Sequence, residues 1–327
     1  MIDVATPATP TGAMVRDVRL GVLDVGSNTV HLLVVDAHRG AQPTPQLSHK
    51  SELRLAEHID RAGDLSKHGA DTLVKAAITA RDQADELGCD ELLAFATSAV
   101  RDASNSARVL KRVAKEAGVA LNVLSGEDEA RLTFLAVRRW FGWSAGNLIS
   151  LDIGGGSLEL AAGLHEDADV AFSVPLGAAR LTREWFTSDP GSKTEVAALR
   201  TYVADTLRSP ARRLLATGLP DRVVATSKTF RTLARLAGAA PSSEGPRLRR
   251  TLTRTGLTQV TSFISRMASA DLAELDGVSV GRAHQVLAGA VVAGAAMDAL
   301  GVEELELCPW ALREGVILRR LDWLDGG

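Results

Sequence analysis

Cysteine and aromatic residues are scarce in this sequence, and each scarcity excludes something. The 327 residues include two cysteines, Cys89 and Cys308, whose spacing fits no metal site. A disulfide framework would need more cysteines in a shorter chain. Aromatic residues make up 4% of the chain, so the hydrophobic cores must be built from Leu, Val, Ala and Ile.

An excess of charge of one sign is also absent. Lys and Arg number 37 against 40 Asp and Glu, which gives a formal net charge of −3. This balance argues against a dedicated nucleic-acid coat or membrane-surface protein, although it allows a local basic channel. The sequence has no apolar run of about 18 residues and no N-terminal signal pattern. We therefore expect a cytoplasmic protein with no nucleic-acid or membrane partner.

The order of the predicted elements indicates a mixed α/β protein with two domains. Residues 1–14 are rich in Pro, Thr and Ala and are expected to form a flexible tail. Residues 15–125, completed by 309–327, are predicted as domain I, and residues 126–308 as domain II.

The periodicity of apolar residues predicts the elements within each domain. In domain I, strands are expected around 18–25, 30–36, from 90 and at 119–124, with helices around 69–87 and 104–117. In domain II, a hairpin at 148–163 is followed by a strand and helix near 170–186, a helix at 194–216, a strand and helix at 221–238, an exposed loop at 241–250, and helices at 257–269 and 281–299. A strand and a helix end the chain.

Two similar hairpins, one in each predicted domain, carry polar residues at their tips. "VRLGVLDVGSNTVHLLVVD" (18–36) and "LISLDIGGGSLELAAG" (148–163) both break an apolar run at an aspartate followed by glycine. The two aspartates, Asp24 and Asp152, lie 128 residues apart. A duplicated fold with a nucleotide- or phosphate-sized cleft between its halves would show this pattern.

These tips contain the groups that bind phosphate. Glycine allows backbone N–H groups to approach an anion closely, and Ser and Thr hydroxyls add hydrogen bonds. A carboxylate at the end of a strand can hold a Mg²⁺ ion that bridges phosphate oxygens. The alternative is a pair of ordinary β-turns, which Asp and Gly also favour. The predicted phosphate-binding residues are Gly26, Ser27, Asn28 and Thr29 in the first loop and Gly154, Gly155, Gly156 and Ser157 in the second.

Glu159 is a third candidate metal ligand beside Asp24 and Asp152. Strand alternation places it on the same face as Ser157, from which it could reach the cation at Asp152. A solvent-facing strand glutamate is the alternative.

Five segments together resemble the exopolyphosphatase / guanosine pentaphosphate phosphohydrolase family. They are "LDVGSNTVHLLV", "ATSAVRDASN", "LSGEDEARL", "LDIGGGSLEL" and "WALREGV", in family order from about residue 18 to 321. The resemblance implies the actin–sugar kinase–Hsp70 fold, with two ribonuclease-H-like domains flanking a cleft. It also implies a divalent metal, Mg²⁺ or Mn²⁺, and hydrolysis of a terminal phosphoanhydride. The chain is similar to the short two-domain members.

Three acids at 127–129 compete for the role of the base that activates water. Ser125 is predicted as the N-cap of a helix, and acids in its first turn would stabilise it. Glu129 shares a face with Leu132, Ala136 and Trp140, so an acid there is costly to bury unless it has a function. The family's catalytic glutamate, carried onto this motif, also falls on Glu129. Glu127, on a more solvated face, is the second choice.

Cationic residues at two further strand ends are predicted to bind phosphate. Arg101 follows the strand from residue 90, and the resemblance implies that it faces the cleft; a surface salt bridge with Asp102 is the alternative. Lys228 and Thr229 begin a predicted helix, where anions bind. Much of the family has a glycine-rich turn here, so Lys228 favours a more anionic ligand than a nucleotide.

Polyphosphate is therefore the expected substrate, and Arg180 could extend a basic track for it. The arginines at 247, 249, 250 and 254 could do the same, although a solvated loop is favoured. Arg313 matches a family motif that helix packing would also explain. The alternatives are hydrolysis of guanosine pentaphosphate (pppGpp) in the same site, a kinase of the same fold, and a non-catalytic sensor of polyphosphate or of pppGpp/ppGpp. A homodimer is possible in each case.

Overall fold

The computed structural model describes residues 18–38, 40, 42–60 and 62–323. The predicted tail at 1–14 therefore lies outside the described residues. The helices and strands, in chain order, are β1 (Val18–Val25), β2 (Thr29–Ala37), β3 (Pro45–Glu52), α1 (Lys67–Glu86), β4 (Glu91–Ala96), α2 (Ser98–Arg101), α3 (Ser106–Ala117), β5 (Asn122–Val123), α4 (Gly126–Phe141), β6 (Leu148–Ile153), β7 (Leu158–Gly163), β8 (Val170–Val174), α5 (Ala178–Trp185), α6 (Lys193–Leu215), β9 (Arg222–Ala225), α7 (Ser227–Leu236), β10 (Thr251–Thr253), α8 (Arg254–Ile264), α9 (Ser269–Ala273), α10 (Val286–Leu300), β11 (Glu304–Leu307) and α11 (Leu312–Trp323).

Two sheets with the same strand order form the centres of the molecule. The first has the order β3-β2-β1-β4-β5, and the second contains β8-β7-β6-β9-β11 with β10 added at its edge. In both, the first three strands in sequence pair antiparallel, and the first strand pairs parallel with the fourth. The repeated topology is the duplication that the two hairpins indicate.

Each sheet is covered on both faces by helices. In domain I one face of the sheet packs with α1 and α3, whereas the other packs with Ile317 and Leu321 of α11. In domain II the larger core lies between the sheet and helices α5 to α10, and α4 covers the opposite face through Ala130, Phe134 and Val137. Leu, Val, Ala and Ile dominate these cores, in agreement with the scarcity of aromatic residues.

Helices α4 and α11 meet where the two domains join. A Cβ atom at Gly315 would lie within 2 Å of the Leu132 carbonyl oxygen, so only glycine allows α11 this close to α4. Arg139 of α4 donates to Asp322 of α11 at 2.7 and 2.9 Å. The C-terminal helix thus links the sheet of domain I to the helix that begins domain II.

Local sequence signals explain most element boundaries. The Ser125 hydroxyl accepts from the Asp128 N–H at 3.1 Å, which confirms the predicted N-cap of α4. Gly118, with φ at 68°, ends α3 as expected. Three predictions were wrong in detail. The strand expected at 119–124 covers only Asn122–Val123, the helix expected at 257–269 is Arg254–Ile264, and β10 was not anticipated.

One helical segment, Val280–Leu300, is long and apolar enough to cross a membrane, and 72% of its most apolar window is buried inside the protein. Arg282, His284 and Gln285 interrupt it, so it is not a continuous apolar run in the sequence. A buried core helix satisfies the same length and composition criteria, and α10 packs against α5, α6, α7 and α8.

Candidate active site

The two predicted phosphate loops have the same backbone turn. In the first loop the Gly26 N–H donates to the Thr29 carbonyl at 3.0 Å. In the second the Gly154 N–H donates to the Ser157 carbonyl at 2.9 Å. Each turn follows an aspartate by two residues, so the sequence similarity of the hairpins extends to their geometry.

The loops lie against one another. A Cβ atom at Gly155 would lie 2.7 Å from the Ser27 Cβ and 3.0 Å from the Asn28 Nδ2. A Cβ atom at Gly156 would lie 2.5 Å from the Ser98 Oγ, and the Ser27 and Ser98 hydroxyls are 2.9 Å apart. The missing side chains of these glycines are therefore what allows the loops to approach. The structure brings the predicted loop residues to one place between the domains.

Three of the predicted acids lie at the base of these loops. Asp152 pairs across the strands with Glu159, as Asp24 pairs with His31. The Thr226 hydroxyl donates to Asp152, and the Ser173 hydroxyl donates to Glu159 at 2.8 Å. Arg313 of α11 lies 3.6 Å from Asp24. Glu159 is 6% exposed, which excludes the solvent-facing alternative.

Glu129 points inward and contacts Arg101. The α4 glutamate is 6% exposed, and the Arg101 Nη1 donates to its Oε1. Glu127 is 58% exposed and pairs with Arg131 one turn later, while Asp128 participates in the N-cap. Helical spacing therefore separated the buried acid from the solvated ones. The catalytic role of Glu129 stays a prediction.

Burial raises the pKa of all four carboxyl groups. The pKa of Asp24 rises to about 6, although the Arg313 guanidinium opposes the change. The pKa of Glu129 rises through burial and the charge of Glu159, against the effect of Arg101. Burial also raises the pKa of Asp152, and burial together with the Asp152 charge raises that of Glu159. A cation placed between these buried carboxyl groups would stabilise their ionised forms.

The acids do not form a metal cage of their own. Among the described residues, no group of three or more His, Cys, Asp or Glu is arranged to hold a metal ion. Mg²⁺ does not need such a cage, since it commonly binds one or two carboxylates together with phosphate oxygens and water. Of the three candidates, Asp152 and Glu159 form no ion pair with a described residue, which leaves them the better pair of ligands.

Lys228 and Thr229 lie at the same corner but are engaged with the protein. The Lys228 Nζ donates to the Gly277 carbonyl at 3.2 Å, and the Thr229 hydroxyl donates to the Ile153 carbonyl at 3.0 Å. Thr229 therefore supports the strand that precedes the second loop. Ser227 has φ at 74°, the left-handed region that glycine favours, so the chain keeps a glycine-like turn with a serine in it.

Sequence reasoning missed two arginines beside the loops. Arg231 and Arg282 are partly buried, and neither side chain has a hydrogen bond or ion pair within the described part of the chain. Burial lowers the pKa of both; the charge of Arg313 adds to this effect at Arg231, and the charge of Arg231 adds to it at Arg282. Burial and the charges of Arg231 and Arg282 also lower the pKa of Lys228 and of Lys50. Arg231 could have been found, because it lies one helical turn after Lys228.

The other basic candidates are bound within the protein. Arg249 pairs with Glu304 and Arg254 with Asp298, while Arg250 donates to the Ala240 and Pro241 carbonyls. The guanidinium of Arg247 lies over the Trp140 ring. These contacts favour a structural role over a basic track.

Comparison with known proteins identifies the family. The model of the Ppx/GppA phosphatase family matches residues 33–323. The chain belongs to the Ppx/GppA phosphatase family. The match covers the whole second sheet of this Ppx/GppA protein and the first sheet from the middle of β2 onward; β1 and the first glycine loop precede it.

Curated relatives and solved structures agree with this assignment. The Ppx/GppA chain is 61% identical to exopolyphosphatase 1 of Mycobacterium tuberculosis over 304 residues, 93% of this chain and 88% of that protein. It is 60% identical to exopolyphosphatase 1 of Mycobacterium leprae over 93% and 90% of the two chains. An exopolyphosphatase structure from Cytophaga hutchinsonii has a TM-score of 0.84 at 24% identity, covering 94% of this chain and 99% of that one. A PPX-GPPA enzyme from Aquifex aeolicus has a TM-score of 0.77 at 24% identity, covering 93% and 100%. The expected two-domain, actin-like fold is confirmed.

Proposed function

We propose that this protein is an exopolyphosphatase that releases orthophosphate from the end of inorganic polyphosphate. The observation that carries the proposal is the junction of the two glycine loops with a buried glutamate, Glu129, and an arginine, Arg101, beside it. Relatives about 60% identical over most of the chain bear the name exopolyphosphatase 1. Their name and this geometry support the same reaction.

The reaction requires one water molecule and one phosphoanhydride bond. The loop N–H groups and hydroxyls hold the terminal phosphate, and one side of Arg101 can bind its oxygens. Ionised Glu129 accepts a proton as the water oxygen attacks the phosphorus in line. The anhydride P–O bond breaks, and the shortened polyphosphate leaves with the bonding electrons. Burial and the charge of Glu159 raise the pKa of Glu129 to about 9, so a cation bound at Glu159 would lower it and favour the ionised form that accepts the proton.

A divalent cation, Mg²⁺ in our proposal, would be held by Asp152 and Glu159. When bound, it would neutralise charge on the phosphate oxygens and permit these acids to stay ionised. Asp24, already beside Arg313, would contribute less.

Four cations that form no ion pair with any described residue explain why a polyanion suits the site. Arg231, Arg282, Lys228 and Lys50 repel one another in the free protein, and a chain of phosphates would relieve that repulsion. Lys228 bonds to Gly277 at the corner that holds the nucleoside in related folds, which disfavours pppGpp.

Phosphate release from polyphosphate and from pppGpp, measured with Mg²⁺ and with EDTA, tests the proposal. We expect Mg²⁺-dependent release from polyphosphate and at least tenfold lower kcat/KM with pppGpp. Release from pppGpp alone would assign the alternative substrate. Tight calorimetric binding of polyphosphate without phosphate release would show a sensor and overturn the enzyme.

A further inference from the structure

A single carboxylate, that of Asp102, lies between guanidinium groups from the two domains. Its Oδ1 accepts from the Arg101 Nε at 3.0 Å, and its Oδ2 accepts from the Arg180 Nη2 at 2.6 Å. Arg180 belongs to α5 of domain II, and its Nε donates to the Gly156 carbonyl at 2.8 Å. A continuous line of hydrogen bonds therefore runs from the second glycine loop across the domain boundary to Arg101.

The far end of this line is the candidate base. Arg101 Nη1 donates to Glu129 and, at 3.2 Å, to the Leu124 carbonyl. With Nε and Nη1 both engaged, the plane of the guanidinium is fixed. Its Nη2 has no hydrogen bond to any residue that the structure describes, so it is free to bind a phosphate oxygen.

We propose that Asp102 and Arg180 are positioning residues, which hold Arg101 against Glu129 and fix the second loop relative to domain I. The inference rests on the proposed hydrolytic function of the site. Neither residue needs to touch the substrate. Asp102 acts through Arg101, and Arg180 acts through both Asp102 and the Gly156 carbonyl.

Exposure of the pair argues for positioning over stabilisation. The Asp102 side chain is 38% exposed and that of Arg180 is 25% exposed. Ion pairs this close to solvent add little to folding stability. Each residue nevertheless makes two contacts through different atoms: Asp102 accepts from Arg101 and Arg180, and Arg180 donates to Asp102 and to the Gly156 carbonyl. These contacts restrict the positions of Arg101 and Gly156.

Asp102→Asn and Arg180→Ala test the proposal directly. Small displacements of a catalytic group are costly, so we expect each change to lower kcat about 10- to 100-fold. KM should change less than about threefold, and the thermal midpoint should stay close to that of the wild type. The kcat of Arg180→Lys should lie between that of the wild type and that of Arg180→Ala. The lysine ammonium can pair with Asp102, but it lacks the forked guanidinium that also reaches the Gly156 carbonyl.

Combining the two changes tests whether the residues act as one unit. If they do, the kcat of the double variant Asp102→Asn with Arg180→Ala should be no more than about twofold below that of the less active single variant. A loss equal to the product of the two single losses would mean independent roles and would overturn the proposal.

Arg183 offers a matched control on the same helix. Its Nη1 also crosses to domain I, where it donates to the Ala56 carbonyl at 3.0 Å, and among the described residues it forms no hydrogen bond or ion pair with the second loop or Arg101. Arg183→Gln should keep kcat within about twofold of the wild type. An equal loss in this variant, or wild-type kcat in Asp102→Asn, would overturn the proposal. All variants are assayed on polyphosphate and on pppGpp. They are compared with the wild type on whichever substrate the wild type hydrolyses, so the test of the positioning role does not depend on which substrate that is.

Discussion

The first hairpins of the two sheets share one backbone turn but differ in the residue across from the aspartate. In domain I, Asp24 faces His31 and lies 3.6 Å from Arg313. In domain II, Asp152 faces Glu159, and hydroxyl groups are the hydrogen-bond partners of both acids. The same fold thus produces one half in which the aspartate lies beside an arginine, and one half in which two acids form no ion pair with a described residue. A duplicated scaffold can bind phosphate from both sides and still attract the cation to one of them.

The histidine in domain I strengthens this contrast. Burial and the Arg313 charge lower the pKa of His31 to about 3, so its ring is neutral near pH 7. Its Nε2 lies 2.7 Å from the Ser48 hydroxyl. Domain I therefore offers a neutral ring at the position where domain II offers a carboxylate.

The largest effect is expected where the two halves meet, at Glu129. Glu129→Gln keeps the shape of the side chain but removes the proton acceptor, so kcat for phosphate release should fall about 10²- to 10⁴-fold. Glu127→Gln, in the same helical turn but exposed, should stay within about twofold. If the exposed glutamate proved the more sensitive one, the second-choice base would replace Glu129.

Metal dependence separates the acids of the two domains. Asp152→Asn or Glu159→Gln should raise the Mg²⁺ concentration for half-maximal activity about 10- to 100-fold. Asp24→Asn should raise it less, because Arg313 already compensates that acid. Titration of activity with Mg²⁺ in the three variants measures the order. A larger shift for Asp24→Asn would reverse the comparison.

Loop contact gives a third difference between the halves. A methyl group at Gly155 would meet Ser27 and Asn28 at 3.0 Å or less, whereas at Gly26 it would meet only the Thr29 carbonyl at 3.4 Å. Gly155→Ala should push the loops apart and lower kcat about tenfold or more. Gly26→Ala leaves the loops in contact, so its effect should fall on KM, through crowding of the bound phosphate, with kcat changed less than about threefold. Equal kcat values for these variants would mean that loop contact is not needed for turnover.

The sequence predicted those parts of the site that depend on local pattern. Alternating apolar residues and glycine turns located both hairpins, and helical spacing from Leu132, Ala136 and Trp140 placed Glu129 inside. The resemblance to the family motifs further predicted that Arg101 faces the cleft and that the fold has two domains. Each of these signals lies within one hairpin, one helix or one short motif.

The rest depends on contacts between distant segments. Asp102 meets Arg180 78 residues away, and no local periodicity marks such a pair. Arg282 lies in a short 3-10 segment, Val280–Gln285, where a helical or strand period cannot be read. The sequence suggests Asp102 as the partner of Arg101 in a surface salt bridge, and the structure adds the second arginine, Arg180, that makes it a link between domains.

The smallest expected effect is a pair of opposite pH slopes in the metal-free protein. The folded-state pKa of His31 lies below its ordinary value of 6.5, so the unfolded chain binds the proton first as pH falls. Wild-type stability should then drop from pH 6.5 downward relative to His31→Gln, by about 2 kcal/mol at pH 4 after allowance for the solvent-facing part of the ring.

The folded-state pKa of Glu159 lies above its ordinary 4.5, so wild-type stability should instead drop as pH rises above 4.5 relative to Glu159→Gln. Urea unfolding with EDTA from pH 4 to 8 measures both differences. Slopes of the same sign would show that burial does not keep His31 neutral and Glu159 protonated, the difference on which the comparison of the domains depends.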